Sequence, residues 1–362
     1  MGEENEMGVT EAQKGRQQIR HISNANQQKV AIVTGTSSGF GLHICLELAR
    51  SGVRVAAGMR RPEAAEQLFR AAAEADQTAA DRQATQAADF RQGESHGREP
   101  HQGEAYQEEA YQAQQPAYSG DLTALGKGPI SSFIYPITLD VCDDARVTQA
   151  VEEIAARLGR IDILVNNAGL AMGGFVGDIP MQAWREQFAV NVFGMIAMTG
   201  AVLPYMREAR SGCILQMSSV SGAIGLPGYG PYVSSKFAVE GFSESLALET
   251  APYGIRTYVI QPASYKTDIW EKGFSGIHRT ENSPNEAALN RMLEMSRASA
   301  EGGGDPRDVA RLVVNLALGR RGKGRFRYVI PRGAALLVAM KKRLPFRLVQ
   351  KVMLGILQRG MK

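Results

Sequence analysis

A tyrosine and a lysine one helical turn apart, Tyr232 and Lys236, are the residues of this chain best suited to acid–base chemistry. Residues four apart lie on one face of a helix, so we expect the ammonium beside the phenol. A nearby cation favours phenolate and lowers the pKa of a tyrosine from about 10. A proton donor and acceptor that works near neutral pH needs that shift. An exposed helix without function would also accommodate the pair, so the decision depends on the rest of the chain.

A glycine-rich turn upstream could hold a phosphate group. Residues 34–41 read Thr-Gly-Thr-Ser-Ser-Gly-Phe-Gly and lie between a β-branched run and a helical pattern. Glycines allow a pyrophosphate to approach closely, and the N–H groups at a helix start receive its charge. A merely tight strand–helix turn is the alternative. The predicted phosphate-binding residues are Gly35, Thr36, Ser37, Ser38, Gly39, Phe40 and Gly41.

Strand and helix patterns alternate along most of the chain, which predicts an α/β fold with a single doubly wound parallel sheet and helices on both faces, a Rossmann fold. Polar residues 1–28 predict a flexible tail without a secretory signal, and residues 29–332 the catalytic domain. Residues 71–128, rich in Ala, Gln, Glu and Gly, predict a disordered insertion, although residues 62–81 could carry a surface helix.

Charge is distributed unevenly along the sequence. The net charge is +4, yet residues 320–362 contain thirteen Lys or Arg and no Asp or Glu, so the preceding part is net acidic. An acidic body binds nucleic acid poorly, and we expect no such partner. Residues 333–362 predict two amphipathic basic helices that Pro345 separates. Three interpretations of these helices stay open: a lid over the substrate pocket, an interfacial contact to anionic lipid, or a subunit contact in a homo-oligomer.

The cysteines and the apolar runs indicate the compartment. Cys45, Cys142 and Cys213 are too few and too widely spaced for a disulfide framework, and they lack metal-ligand spacing. No run approaches about 20 consecutive apolar residues, so the sequence predicts no membrane span. We expect reduced thiols and a cytoplasmic protein, which would be membrane-peripheral if the C-terminal helices bind lipid.

Three motifs in this order resemble the short-chain dehydrogenase/reductase family. They are Thr-Gly-x3-Gly-x-Gly at residues 34–41, Asn-Asn-Ala-Gly at residues 166–169 and Tyr-x3-Lys at residues 232–236. The resemblance covers residues 29–268 without the insertion. The residues after the lysine, Phe-Ala-x-Glu-Gly, are similar to the steroid- and retinol-type branch. The resemblance implies an oxidoreductase that acts on CH–OH groups with a nicotinamide cofactor.

The resemblance also assigns catalytic roles to four residues. Tyr232 would give a proton to a carbonyl oxygen as hydride reaches the carbon, and Ser219, thirteen positions earlier, would donate a hydrogen bond to that oxygen. Ser218 would be a structural turn residue. Lys236 would lower the pKa of the tyrosine and bond the nicotinamide ribose. Asn191 would hold a water that links Lys236 to solvent.

The end of the second strand decides between NADP and NAD. An acidic residue there would bind the ribose of NAD, whereas a basic residue pairs with the 2′-phosphate of NADP. The sequence has Met59 at the acidic position and Arg60 beside it. This favours NADP, with Arg60 and the hydroxyls of Thr36, Ser37 and Ser38 around the extra phosphate, while NAD is the alternative.

Four further residues match cofactor contacts of the family. By resemblance, Asp140 and Val141 would contact the adenine, Asn166 the adenosine ribose side, and Thr267 the carboxamide. Asp140 could also cap the helix that begins near residues 143–144. The family usually has Pro-Gly where this chain has Pro-Ala at residues 262–263, so this loop lacks the flexibility of the family glycine.

Residues 268–304 predict a substrate lid that is largely apolar and could hinge at Gly302-Gly303-Gly304. An apolar lid favours a small hydrophobic alcohol or carbonyl compound as substrate. Two other functions compete with this oxidoreductase: a nucleotide-binding redox sensor without turnover, and a nucleotide-sugar epimerase. Sensors of that kind tend to lose the tyrosine or the lysine, and the glycine spacing fits an epimerase less well.

Overall fold

The structure, a computed structural model, describes residues 28–93, 129–321 and 324–357. The strands in these residues are β1 (Val30–Thr34), β2 (Arg54–Met59), β3 (Ile134–Thr138), β4 (Ile163–Asn166), β5 (Gly212–Met217), β6 (Ile255–Pro262) and β7 (Arg327–Ile330). They form one parallel sheet with the order β3-β2-β1-β4-β5-β6-β7. Every residue of β1 and β5 is buried, because helices cover both faces of the sheet.

The helices of the described residues follow the strands in alternation. They are α1 (Gly39–Arg50), α2 (Ala65–Gly93), α3 (Asp144–Leu158), α4 (Met181–Phe188), α5 (Gly194–Glu208), α6 (Gly230–Thr250), α7 (Ile269–Ser275), α8 (Glu286–Glu301), α9 (Pro306–Ala317), α10 (Arg332–Arg343) and α11 (Phe346–Leu357). One apolar core contains side chains of α1, α2 and α9, and a second contains side chains of α3, α5 and α6. These two layers confirm the predicted doubly wound sheet.

The strand order predicts a ligand-binding crevice beside β1. β1 lies between β2 and β4, so the chain leaves β1 toward one side of the sheet and later returns to add β4 on the other side. Ligands of such sheets bind outside the carboxyl ends of the strands at this reversal. The glycine turn, the Asn-Asn-Ala-Gly motif and the two serines after β5 all lie at this edge.

The predicted insertion begins with an ordered helix, so the prediction of disorder is wrong for residues 71–93. α2 extends through them, and Leu68, Ala72 and Ala75 are buried against the body. The carboxylate of Asp76 accepts hydrogen bonds from the Ile130 N–H at 3.1 Å. Alanines at helical spacing pack closely despite their small apolar area, which composition alone does not show. Residues 94–128 lie outside the described residues, as do residues 1–27 of the predicted tail.

The segment Met181–Glu208 is helical throughout and is long and apolar enough to cross a membrane by length and composition. The sequence prediction of no membrane span missed it, because the segment has no unbroken apolar run. Met198, Val202 and Met206 are buried in the core beside β4 and β5. We therefore interpret the segment as a core helix of the α/β fold.

The C-terminal part of the described chain forms two helices on either side of Pro345, α10 and α11. Val338 is the buried residue of α10, and α11 has no buried residue. α10 contacts β7, and α11 contacts the lid helix α8. This pair of helices is therefore attached to the body while most of its surface is exposed.

Candidate active site

The glycine turn between β1 and α1 presents backbone groups to the crevice. Gly35 and Gly39 have φ values of +70° and +56°, where a side chain would be strained. A Cβ on Gly41 would lie 2.1 Å from the Gly35 carbonyl oxygen. Ser38 precedes α1 in an extended conformation, and its side chain makes no capping hydrogen bond. The first N–H groups of α1 therefore stay available for an anion, so the turn fits a dinucleotide pyrophosphate.

Asn167 fixes this turn, a role that the sequence analysis did not assign. Its Nδ2 donates to the carbonyl oxygens of Thr34 at 2.9 Å and Gly35 at 3.0 Å. The N–H groups of Asn167 and Ala168 donate to the Thr34 hydroxyl at 3.0 and 2.9 Å. The second Asn of Asn-Asn-Ala-Gly was the available signal. β1 and β4 are neighbours, so this motif can clamp the backbone of the glycine turn.

The side chains near the predicted 2′-phosphate position differ in their availability. Thr36 is buried, and its hydroxyl donates to the Gly58 carbonyl at 3.2 Å, so its predicted phosphate role is wrong for the hydroxyl. Ser37 is half-buried, and Arg60 is exposed directly after β2. Lys272 of α7, which the sequence analysis missed, donates to the Ser38 hydroxyl at 3.2 Å. One cation, Lys272, therefore contacts the turn, and a second, Arg60, follows the strand that pairs with β1.

The predicted adenosine contacts lie at the ends of β3 and β4. The Asp140 carboxylate accepts from the Cys142 N–H at 3.0 Å, whereas Asp143 caps α3 by accepting from the Arg146 N–H at 2.9 Å. The proposal that Asp140 caps this helix is therefore wrong, since Asp143 stands directly before it. Val141 is buried, and Asn166 is buried with its Nδ2 bonded to Thr199 at 3.0 Å.

Ser219 and Tyr232 meet where β5 ends and α6 begins. Ser219 stands directly before a short 3-10 turn, and its hydroxyl accepts from the Ser221 N–H at 3.1 Å. Tyr232 is half-buried in the first turn of α6. Burial raises the pKa of the Tyr232 phenol, and a hydrogen bond to Ser219 lowers it in part. The structure thus brings Ser219 to the tyrosine, as the resemblance implied.

Lys236 lies beside the same ring, but its ammonium has another partner. The Nζ atom lies 5.7 Å from the Tyr232 ring centroid and donates to the Met217 carbonyl at 2.8 Å. Burial lowers the pKa of Lys236 to about 8, and Glu240 raises it in part. The expected lowering of the tyrosine pKa by the cation is therefore not what the structure shows. Burial of the phenol raises its pKa, and the Lys236 ammonium is bonded to the carbonyl at the end of β5.

Glu240 follows Lys236 by one helical turn and was not assigned a role from the sequence. Its buried carboxylate accepts from Gln261 Nε2 at 2.9 Å and from Arg327 Nε at 2.7 Å. This links α6 to β6 and β7. Glu240 therefore both holds the catalytic helix on the sheet and supplies the negative charge that favours protonated Lys236.

Asn191 lies in a π-helical turn, Ala189–Phe193, between α4 and α5. Its Nδ2 donates to the Leu170 carbonyl and to the Ser235 hydroxyl, both at 3.0 Å, and its Oδ1 accepts from the Leu170 N–H at 2.9 Å. π-Helical turns are rare and occur often at functional sites. Asn191 thus joins the loop after β4 to α6, while the water role implied by resemblance stays a prediction.

A family model described as short chain dehydrogenase matches residues 29–98 and 122–277. The chain belongs to the short-chain dehydrogenase/reductase family. It is therefore an oxidoreductase that acts on CH–OH groups and binds a nicotinamide nucleotide, NAD or NADP. The motif order and the sheet edge described above are thus those of this family, and the resemblance stated from the sequence is confirmed.

Curated relatives cover different shares of this short-chain dehydrogenase/reductase. The uncharacterized oxidoreductase YusZ of Bacillus subtilis is 36% identical over 88% of this chain and 95% of its own length. A 3-ketodihydrosphingosine reductase of Bacteroides thetaiotaomicron is 36% identical over 50% of this chain and 67% of its own. An NADPH-dependent 3-dehydrocapnine reductase of Ornithobacterium rhinotracheale is 38% identical over 39% and 52%.

Solved structures share the fold of this short-chain dehydrogenase/reductase. A short-chain dehydrogenase from Streptomyces avermitilis has a TM-score of 0.64 at 26% identity and covers 93% of this chain and 99% of that chain. A family member from Burkholderia phymatum in complex with NAD has a TM-score of 0.62 at 22% identity, over 88% and 94% of the two chains. The similarity to the Burkholderia phymatum structure, at 22% identity, shows only that the fold is shared.

The lid of this short-chain dehydrogenase/reductase closes over the loop that precedes Tyr232. The Tyr229 hydroxyl and the Ser296 hydroxyl of α8 are hydrogen-bonded at 3.0 Å, and the Gly173 carbonyl accepts from the His278 N–H at 2.9 Å. Other apolar lid residues cluster, as the Trp270 and Phe274 rings do at 6.0 Å between centroids. The lid is therefore anchored by a few polar bonds around an apolar interior.

The loop between β6 and the lid is fixed rather than hinged. The Ala263 N–H donates to the Ile330 carbonyl at 2.9 Å, and Ala263 is not among the residues with positive φ, so alanine replaces the family glycine without strain. Gly304 and Lys266 pair their backbones at 3.0 Å, which contradicts a free hinge at residues 302–304. Thr267 lies beside Gly39 of the glycine turn, and its contact with the carboxamide stays a prediction.

Proposed function

We propose that this protein is an NADP-dependent oxidoreductase that interconverts a hydrophobic alcohol and its ketone or aldehyde, with Tyr232 as the general acid and base. The group formed by Ser219, Tyr232 and Lys236 carries this proposal, since Ser219 lowers the pKa of the Tyr232 phenol in part and the Lys236 Nζ lies 5.7 Å from the Tyr232 ring centroid. It lies at the carboxyl edge of the sheet, on the same edge as the glycine turn. A redox sensor has no need of a Ser–Tyr–Lys group at this edge, so turnover is favoured over sensing.

The nicotinamide nucleotide supplies or accepts the hydride when it is bound. In ketone reduction the Oη of Tyr232 gives its proton to the carbonyl oxygen, and the raised pKa of Tyr232 keeps that proton in place until then. The Ser219 hydroxyl donates a hydrogen bond to the substrate oxygen and orients it. Lys236, with a pKa of about 8, changes its charge close to neutral pH and can return a proton to this group.

The preference for NADP is supported by the end of β2. Met59 is buried there, and Arg60 is exposed and follows it directly, so no carboxylate stands at the position that binds a ribose hydroxyl. A guanidinium is suited to a phosphate, which it binds in a bidentate manner. One relative is named as NADPH-dependent, whereas a solved family member holds NAD. NAD is therefore the alternative that an experiment must exclude.

The hydrophobic substrate is supported by the lid. Met292 and Leu293 of α8 are buried, and the Met292 side chain lies beside Gly228, in the loop between Ser219 and Tyr232. An apolar lining with few polar groups is typical of sites that bind apolar ligands. A relative named as a 3-ketodihydrosphingosine reductase fits a ketone as the oxidised substrate.

Replacing Arg60 with Asp tests the nucleotide preference. The change removes the proposed phosphate partner and adds an acceptor for a ribose hydroxyl, so we expect a loss of about 1.5–3 kcal/mol in NADPH binding and a gain for NADH. Titration calorimetry with both nucleotides measures this. Arg185→Asp, at another exposed arginine, is the matched control for the charge change. Unchanged NADPH affinity in Arg60→Asp would refute the assignment of Arg60.

A further inference from the structure

The two C-terminal helices α10 and α11 present an exposed surface that is both apolar and basic. We call α10 and α11 together the C-terminal hairpin. Phe346 is 73% exposed and Leu336 is 65% exposed, values unusual for large apolar side chains. The exposed apolar side chains of the hairpin are Leu336, Leu337, Met340, Leu344, Phe346, Leu348, Val352 and Leu354. Exposed apolar surface that involves this many large side chains marks an interaction site.

The charges of the hairpin have one sign. Between residue 320 and the C-terminus the chain contains thirteen Lys or Arg and no Asp or Glu. Lys342, Arg343, Arg347 and Lys351 are exposed on the hairpin itself. Basic residues that flank an apolar helical face are the pattern of helices that lie in a membrane interface, where anionic headgroups surround an apolar interior.

The hairpin is held against the catalytic domain at two places while its apolar side chains stay exposed. The Lys341 ammonium lies 5.9 Å from the ring centroid of Phe237 on α6, and Val338 of α10 is buried near β7. α11 contacts the lid helix α8 and has no buried residue of its own. A lid that closed the pocket with its apolar face would bury that face, which the hairpin does not do.

A second copy of this chain is a poor occupant of the same surface. A two-fold contact places equivalent patches against each other, so two hairpins would bring their cations together. Repulsion between like charges opposes such a contact, and the described hairpin has no carboxylate to compensate it. An anionic surface, by contrast, complements every charge on the hairpin.

We propose that the C-terminal hairpin docks this enzyme on an anionic lipid bilayer, with its apolar side chains in the headgroup–acyl boundary. This goes beyond the proposed function, because docking requires neither turnover nor a bound nucleotide. The hairpin touches α8, whose Met292 and Ser296 face Gly228 and Tyr229 on the pocket side. Docking therefore brings the lid of the substrate pocket next to the bilayer.

Cosedimentation of the full-length protein with vesicles tests the docking. Vesicles of phosphatidylcholine mixed with phosphatidylglycerol should bind the protein, vesicles of phosphatidylcholine alone should bind much less, and added salt should weaken binding. The triple variant Lys342→Gln, Arg343→Gln, Arg347→Gln should lower the partition coefficient at least about tenfold. A matched triple at exposed basic residues elsewhere, Lys29→Gln, Arg185→Gln, Arg311→Gln, should lower it less than about twofold.

A fluorescence measurement locates the contact without depending on the charge variants. Phe346→Trp places an indole on the hairpin, and Leu248→Trp places one at a residue of α6 that is 79% exposed. With anionic vesicles that contain brominated lipid, the fluorescence added by the Trp at position 346 should shift to the blue and be quenched. The fluorescence added at position 248 should not change, because this residue is eleven positions along α6 from Phe237, the residue that Lys341 of the hairpin contacts.

Each outcome decides the proposal once both triple variants are shown to keep the melting temperature of the wild type. Loss of binding in the hairpin triple alone, with quenching confined to position 346, supports docking. Equal binding by the two triples, or a wild-type protein that ignores anionic vesicles, overturns it. A hairpin triple that changes the oligomeric state in light scattering while no protein binds vesicles would assign the surface to a second copy instead.

Discussion

The glycine turn after β1 exposes backbone N–H groups, and Asn167 holds its carbonyl oxygens in place. The start of α6, by contrast, brings three side chains together. The first region depends on the absence of side chains, since a Cβ on Gly41 would lie 2.1 Å from the Gly35 carbonyl. The second region depends on the hydroxyl of Ser219, the phenol of Tyr232 and the ammonium of Lys236. Changes to the glycine turn should therefore weaken nucleotide binding, and changes to the start of α6 should lower turnover.

The two regions also differ in how burial acts. At the glycine turn, the open N–H groups of α1 favour an anion by their position. At the catalytic group, burial works against charge, raising the pKa of Tyr232 and lowering that of Lys236. A neutral phenol and a lysine of pKa about 8 are therefore the resting partners. In the proposed reaction, the proton is therefore held by Tyr232 until it is transferred.

Replacing Tyr232 with Phe separates chemistry from binding and should have the largest effect. The ring stays and the proton donor is lost, so turnover should fall by at least about 10²-fold while NADPH binding is largely retained. Tyr229→Phe is the matched control, because Tyr229 stands three residues away and bonds Ser296 of the lid. Initial rates and calorimetric affinities measure both. Comparable turnover in Tyr232→Phe would contradict its assigned role.

Replacing Gly41 with Ala should have the converse effect at the other region. The added Cβ would collide with the Gly35 carbonyl and lie 2.6 Å from Asn167 Nδ2, so the clamp on the turn must move. Overpacking of this kind costs about 1–3 kcal/mol, and we expect nucleotide binding to weaken about tenfold or more. In Gly200→Ala the added Cβ meets open space, and affinity should not change. Equal affinities in the two variants would show that the turn tolerates displacement.

A change of Lys236 to Met tests burial at the second region through the pH dependence of stability. The pKa of Lys236 is about 8 in the folded protein and 10.5 ordinarily, so the unfolded chain binds more protons between these values. The free energy of unfolding that Lys236 contributes must therefore rise with pH across that window. The free energy of unfolding of the wild type minus that of Lys236→Met, both from urea titrations, should become more positive from about pH 8 to about pH 10.5. A flat difference would mean that Lys236 is not buried in solution.

Much of the fold and the site follows from local sequence patterns. The β-branched runs and the glycine turn specify β1, and the short-range spacing of Tyr232 and Lys236 places them on one helical face. Ser219 was assigned from the family resemblance, in which the serine stands thirteen positions before the tyrosine. What local patterns could not supply depends on contacts between distant residues. Asn167 reaches the backbone of Thr34 because β4 is the neighbour of β1, a pairing that is only known once the sheet is assembled.

The pKa of Tyr232 and the order of residues 71–93 were predicted wrongly for a related reason. A sequence shows that Lys236 is near Tyr232. It does not show that the Lys236 ammonium donates to the Met217 carbonyl, or that burial raises the pKa of Tyr232. Composition likewise shows few large apolar residues in α2, but not that Ala72 and Ala75 fit against the body. Burial is a property of the assembled protein in both cases.

The most direct test of the proposed function is the oxidation of NADPH, followed at the reduced nicotinamide band, with a series of ketones of increasing apolar chain length. Because the lid is apolar and Arg60 follows β2, kcat/KM should rise with chain length, and NADPH should be preferred over NADH. Tyr232→Phe should be nearly silent with every ketone. The absence of turnover with any ketone or alcohol, or a preference for NADH with short polar substrates, would contradict the proposal.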